Sequence, residues 1–242
     1  MDGRTARVRL HSPAPGASDG EWETLRRRVS HEYAVMRRLP HDGLPLPSEL
    51  LESDHGFALV YDVEADVQPL PSWLADHPQG LPLDTRVALI RQLAETLDYV
   101  HSNGLTHRQL SPASLWVRQR QGQPPRLLIA DWQAAGATDA SALDGEGVTT
   151  LQTPTSRMEE GAALGDTDVA LYRAPEGAWR ASQQNRFKLD VFSVGAVAAY
   201  LLTGAPPAGS VPELRALLVS SGGVDVSVAL PGVSEALRQA IL

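Results

Sequence analysis

An α+β protein built in two lobes is what this sequence predicts. Three observations point there. Strand-like patterns gather near the start and long helical patterns follow, with no internal repeat. A chain of 242 residues is long enough to bury a sizeable core. Apolar residues make up 43% and charged residues 21%, which is the balance of an ordinary soluble globular chain.

Arg7-Val8-Arg9-Leu10-His11 alternates and predicts a short strand. The Pro, Gly and Ser-rich stretch from Ser12 to Gly20 predicts a loop. Trp22, Leu25, Val29, Tyr33, Met36 and Leu39 recur at helical spacing, and that helix should end near Pro40. Strands are expected at Leu46 to Leu51 and Phe57 to Val63, turned by Asp54-His55-Gly56. A Pro-rich connection should lead to a short helix around Ser72 to Asp76. Asp84 then caps a longer helix whose apolar face is Val87, Leu89, Ile90, Leu93, Leu97 and Val100, with Gly104 at its end. A strand pair follows, Leu115 to Val117 and Leu127 to Ala130. Ala134 to Val169 has no sustained period and reads as a long loop. Helices resume at Asp190 to Leu202 and Val211 to Ser220.

Composition narrows the function. A net charge of −8 argues against nucleic acid as a partner. The absence of cysteine removes disulfides and thiolate zinc sites and suits a reducing compartment. The N-terminus is polar and basic, without the apolar core of a signal peptide. The apolar run from Val191 to Leu202 is too short to span a bilayer. A cytoplasmic chain with no membrane contact is the expectation.

Five segments carry chemistry, in a fixed order. Glu32 lies in the first helix, ahead of Leu39-Pro40-His41. His107-Arg108-Gln109-Leu110-Ser111-Pro112-Ala113-Ser114-Leu115 follows the long helix. Then come Asp131-Trp132-Gln133 after a strand, Ala174-Pro175-Glu176, and Asp190-Val191-Phe192-Ser193-Val194-Gly195. Together they resemble the H-R-D-L-x-x-x-N, D-F-G, A-P-E and D-V-W-S-x-G segments of eukaryotic-like Ser/Thr protein kinases. The resemblance spans roughly residues 5 to 242. It implies a bilobal kinase-like fold with a truncated β-rich first lobe (residues 1–64, ending in a hinge) and a helical second lobe (residues 65–242). The second lobe would hold a long activation-like loop at about 134–170 and lack the family's last helices.

The same resemblance assigns roles. Gln109 stands at the position of the catalytic Asp, and Ser114 at that of the metal-binding Asn. Asp131 is the expected Mg²⁺ ligand. Arg9 stands for the phosphate-gripping lysine, with Glu32 as its partner; a surface Arg9, and an in-helix pair of Glu32 with Arg28, are the plainer alternatives. Asp131 could instead cap the loop that follows it. Tyr61 falls at the gatekeeper position, or is plain core, with Asp62 and Val63 in the hinge. His107, Trp132, Met36 and an apolar residue near Leu51 form an internal spine. Asp190 accepts hydrogen bonds from the backbone of the His107 loop, and Arg108 and Glu176 are structural.

These replacements divide the functional expectation. Gln109 cannot accept a proton, and no G-x-G-x-x-G occurs. A pseudokinase acting on a protein partner, or on a kinase domain linked in the same longer chain, is one reading. An unorthodox but active Ser/Thr kinase is a second, and a nucleotide sensor without chemistry a third. ATP with Mg²⁺ is the cofactor pair the family implies; the residues themselves require none. In texture the chain resembles the kinase-like regions of phage-growth-limitation (BREX-type) defence kinases of bacteria.

Overall fold

Alternation sets the first strand. In β1 (Arg7–His11) the half-buried Arg7 and Arg9 share one face, and the exposed Val8 and Leu10 share the other. The computed structural model describes residues 6–62, 66–137, 169–174, 186–221 and 223. Within it β1 pairs antiparallel with β3 (Gly56–Tyr61), and β3 pairs with β2 (Pro47–Ser53), giving the order β1-β3-β2. The strand expected to reach Val63 ends at Tyr61, and Val63 itself lies outside the described residues.

A register shift between Pro47 and Glu49 marks a bulge in β2. It inverts the alternation beyond it. Leu50 therefore packs against the core, while Leu51 is half-exposed. The apolar residue near Leu51 that this strand turns to the core is Leu50.

Helix α1 (Asp19–Arg38) starts earlier than its apolar pattern suggests. Ser18 and Glu21 form a capping box, so the preceding loop stops at Ser18 rather than Gly20. Val29, Val35 and Met36 are buried beneath the helix, and Glu32 is buried among them. The apolar residues drive the packing, and they carry a carboxylate inward with them.

A second sheet forms after the crossing between lobes. β4 (Val67–Pro69), too short to read from the sequence, pairs with β6 (Leu115–Arg118), and β6 pairs with β7 (Arg126–Ile129). Helix α2 (Leu70–Ala75) follows β4 directly. Helix α3 (Leu83–Ser102) begins after Pro82, so Asp84 sits inside its first turn and is not the cap. Pro82 supplies no side-chain bond, and the acid is left to favour the positive helix end. Leu89, Leu93, Leu97 and Val100 bury their side chains. They pack toward β7 and helix α4 (Arg186–Thr203). Ala196, Ala198 and Ala199 keep α4 thin on its buried face. Helix α5 (Val211–Ser221) is the last described element.

The segment expected to be loop from Ala134 contributes one short strand. β8 (Gly136–Ala137) pairs with β5 (Leu105–Thr106). Residues 138–168 lie outside the described residues, as do Pro175 and Glu176. One apolar cluster runs through both lobes, from Met36, Leu59 and Tyr61 to Leu93, Leu110, Ile129 and Trp132. No described helix is long and apolar enough to cross a membrane.

Candidate active site

The loop after β5 is held from behind by a buried acid. Asp190, in the first turns of α4, has no solvent exposure. Its Oδ2 accepts from the His107 N–H at 2.7 Å, and its Oδ1 from the Arg108 N–H at 2.7 Å. His101 Nε2 lies 2.9 Å from Oδ2 and donates to it. Such donors are what make a buried carboxylate tolerable. They also hold Arg108 in the left-handed region, at φ 69°.

His107 is committed at both nitrogens. Nε2 donates to the Ala130 carbonyl at 2.7 Å, and Nδ1 accepts from the Gln109 N–H at 3.3 Å. That pattern requires the neutral ring. Burial pushes the imidazolium down, against the pull of Asp190 and the Ala130 bond. The ring meets Trp132 edge-on at 4.6 Å, and Trp132 Nε1 donates to the Ile129 carbonyl at 2.9 Å. Met36 is buried in the same core.

Gln109 is half-buried in this loop. Ser114 closes a turn of 3-10 helix, Pro112–Ser114. Its Oγ donates to the Ser111 carbonyl at 2.8 Å and accepts from the Ser111 N–H at 3.0 Å. The hydroxyl is thus engaged within its own turn.

Asp131 follows β7 with φ 67°, the left-handed region again. Its side chain makes no capping bond to the turn Trp132–Ala134. Instead its Oδ1 is in contact with Arg9 Nη1 from β1. The same Nη1 stands 3.7 Å from Glu32 Oε1, which also accepts from the Trp132 N–H at 3.2 Å. Burial raises the Glu32 carboxyl above its ordinary range; Arg9, the Trp132 N–H, Gln133 and Arg28 work against that. Arg28 carries its head to Gln133 Oε1 at 3.2 Å. Gln133 Nε2 in turn lies 3.1 Å from His11 Nδ1. His11 Nε2 is 3.9 Å from Glu32 Oε2. His31 Nε2 donates to the Ala135 carbonyl at 2.9 Å. The three residues Arg9, Glu32 and Asp131 thereby converge, in a polar chain that joins β1, α1 and residues 131–135.

At the outer end, Tyr61 is fully buried and meets Trp116 edge-on at 5.3 Å. Its hydroxyl points to Met36 Sδ at 3.8 Å, and burial keeps the phenol well above its ordinary range. Asp62 is exposed. The sequence reading did not single out Arg7, His11 or Trp116. Arg7 could have been found from β1 periodicity, since it shares a face with Arg9.

A magnesium ion needs free oxygen ligands, and a bound nucleotide supplies only some of them. Here the Asp131 carboxylate is met by a guanidinium, and the Ser114 hydroxyl is closed on Ser111. In this arrangement Asp131 Oδ1 and the Ser114 hydroxyl are both already engaged, and neither is free to take a metal.

A family model described as the protein kinase domain matches residues 17–216, and the chain belongs to that family. It is similar to a Probable kinase PglW of Streptomyces coelicolor, 32% identical over 246 residues, covering 95% of this chain and 15% of that protein. It is also similar to the serine/threonine-protein kinase PknF of Mycobacterium tuberculosis, 28% identical over 192 residues, covering 79% of this chain and 36% of that one. The serine/threonine-protein kinase PkaA of Streptomyces coelicolor is 27% identical over 190 residues, covering 78% of this chain and 31% of the relative. The chain therefore spans well under half the length of these relatives.

Proposed function

We propose that this chain is a pseudokinase domain: a protein-kinase scaffold with little or no phosphoryl transfer that acts through a protein partner, or through a kinase domain linked in a longer polypeptide. The contact of Arg9 with Asp131 carries this reading. The acid that would hold the metal is neutralised by the residue that would grip the phosphates. Gln109 adds to it, because loss of a positioned general base costs about 10²–10⁴-fold in rate. Positioning and electrostatics do most of the work in phosphoryl transfer, so loss of the metal ligands weighs more heavily still. Residues 1–64 would supply the first lobe and 65–242 the second, with the polar chain as the joint between them. The match to a relative more than six times as long as the matched region supports a partner in the same polypeptide; the phage-defence setting is proposed on the texture of the sequence alone.

The second reading is an ATP-dependent Ser/Thr protein kinase in the cytoplasm. Family membership and the named kinases among its relatives favour it. It requires Arg9 to leave Asp131 so that the acid can take Mg²⁺. Incubation with γ-labelled ATP, Mg²⁺ and a general protein acceptor separates the two. The expected result is no incorporation above background. Incorporation that Asp131→Ala abolishes would overturn the pseudokinase reading.

A further inference from the structure

Arg7 and Arg9 lie two residues apart on one face of β1, roughly 7 Å from each other along the strand. Both reach across to the second lobe. Arg9 meets Asp131 at the inner end of the seam between the lobes. Arg7 meets the second sheet at the outer end, where its guanidinium lies 4.9 Å from the centre of the Trp116 ring. Arg7 Nη2 also donates to the Val67 carbonyl at 2.5 Å, on the strand beside β6. Register places Arg7 opposite Tyr61, whose ring packs on Trp116. The contact therefore sits where the chain passes from one lobe to the other.

An indole face between two lobes is a platform for a planar base, and each stacked base is worth about 1–3 kcal/mol. A guanidinium is planar as well and prefers the same face of the ring. The Val67 bond fixes it there. Trp116 is left only 7% exposed. A lone arginine over a tryptophan would be ordinary packing. Here a second arginine on the same strand face covers the acid at the other end of the same seam.

We infer that Arg7 is a built-in competitor for a nucleobase: it covers the Trp116 face and, with Arg9 on Asp131, closes the lobes on each other without nucleotide or divalent cation. This rests on the pseudokinase reading and extends it from chemistry to binding.

Calorimetric titration of the intact chain with ATP and with adenosine, each in EDTA and in Mg²⁺, tests it. Wild type should bind both weakly. Arg7→Ala should bind both about tenfold more tightly, in either buffer, a gain of about 1.4 kcal/mol. Adenosine carries no phosphate, so its gain reports the base platform rather than charge. If the alanine variant does not fold, Arg7→Lys serves, because it keeps the charge but cannot lie flat on the ring. Unchanged adenosine affinity in the folded variant, or a wild type that binds as tightly as the variant, overturns the inference. Wild type that binds nucleotide as tightly as Arg7→Ala, without phosphate transfer, defeats this inference alone. Transfer by wild type that becomes efficient at lower ATP in Arg7→Ala defeats the pseudokinase reading alone.

Discussion

Arg9 and Asp131 face each other across the two lobes, guanidinium on carboxylate, and Glu32 stands 3.7 Å from the same guanidinium nitrogen. One cation thus serves two acids, of which Glu32 is fully buried and Asp131 is not. The two acids are not equivalent. Glu32 cannot be hydrated if its partner leaves, whereas Asp131 can turn to water.

Removing the cation should therefore cost far more than removing the partly exposed acid. Arg9→Ala leaves a buried charge uncompensated and should lower stability by about 3 kcal/mol. Asp131→Asn keeps shape and leaves Arg9 with Glu32, so its cost should stay within about 1 kcal/mol. Urea midpoints of the two variants against wild type give the comparison. Equal losses would show that Asp131, not Glu32, is the partner that matters for stability.

His11 makes stability depend on pH. Burial, then the charges of Arg9 and Arg28, lower its pKa from 6.5 to about 4. Glu32 Oε2 and Gln133 are its other polar neighbours. Between those two pH values the unfolded chain binds a proton that folded His11 refuses. Stability from this residue is therefore complete above pH 6.5 and falls as pH drops toward 4, by roughly 3 kcal/mol over the whole window. His107 shifts in the same direction, through its own burial. Melting temperatures from pH 4.5 to 7.5 should rise with pH in wild type and rise less steeply in His11→Asn. Parallel slopes would exclude His11 as a source.

Gly56 turns β2 into β3 at φ +133°, a conformation that other residues rarely adopt. A Cβ there would stand 2.2 Å from the His11 carbonyl oxygen, a backbone atom that cannot swing aside. Gly56→Ala should cost about 1–3 kcal/mol from backbone strain, with the overlap in addition. It should also displace the end of β1 that carries His11. Denaturation gives the first effect, and histidine ring shifts in NMR spectra give the second. A variant as stable as wild type would mean that the turn relaxes freely.

Most elements are legible in the sequence because period and punctuation agree. The α1 face shows at spacings of three and four, and Gly56 follows a turn-forming Asp-His pair. What is missed depends on pairing. The bulge after Pro47 swaps Leu50 for Leu51 at the core, and no alternation rule sees it. Val67–Pro69 is too short to read alone and becomes a strand only against β6. In the site, motif order brings Arg9, Glu32 and Asp131 together on paper, and the fold does so in space. Their charge balance is not readable, since it turns on which lobe the arginine face of β1 meets. Ser114 shows the same limit. Its place in the motif suggests a ligand, whereas its three-residue distance from Ser111 lets it close a turn.

Asp190 tests how the loop is held. Its carboxylate gathers two backbone N–H groups and one histidine N–H where no water reaches. Asp190→Ala leaves the His107 N–H buried and unpaired and releases the strained Arg108. The cost should be roughly 3 kcal/mol or more, since each orphaned buried donor costs about 1–3 kcal/mol. Asp190→Asn retains one acceptor oxygen but turns an NH₂ toward the other donors, so its loss should be intermediate. Hydrogen exchange separates this from general loosening: the amides of His107 and Arg108 should lose protection earlier than those of α3. If both variants melt with wild type and the two amides stay protected, Asp190 is not the anchor. The loop would then be held by His107, through its bonds to Ala130 and Gln109.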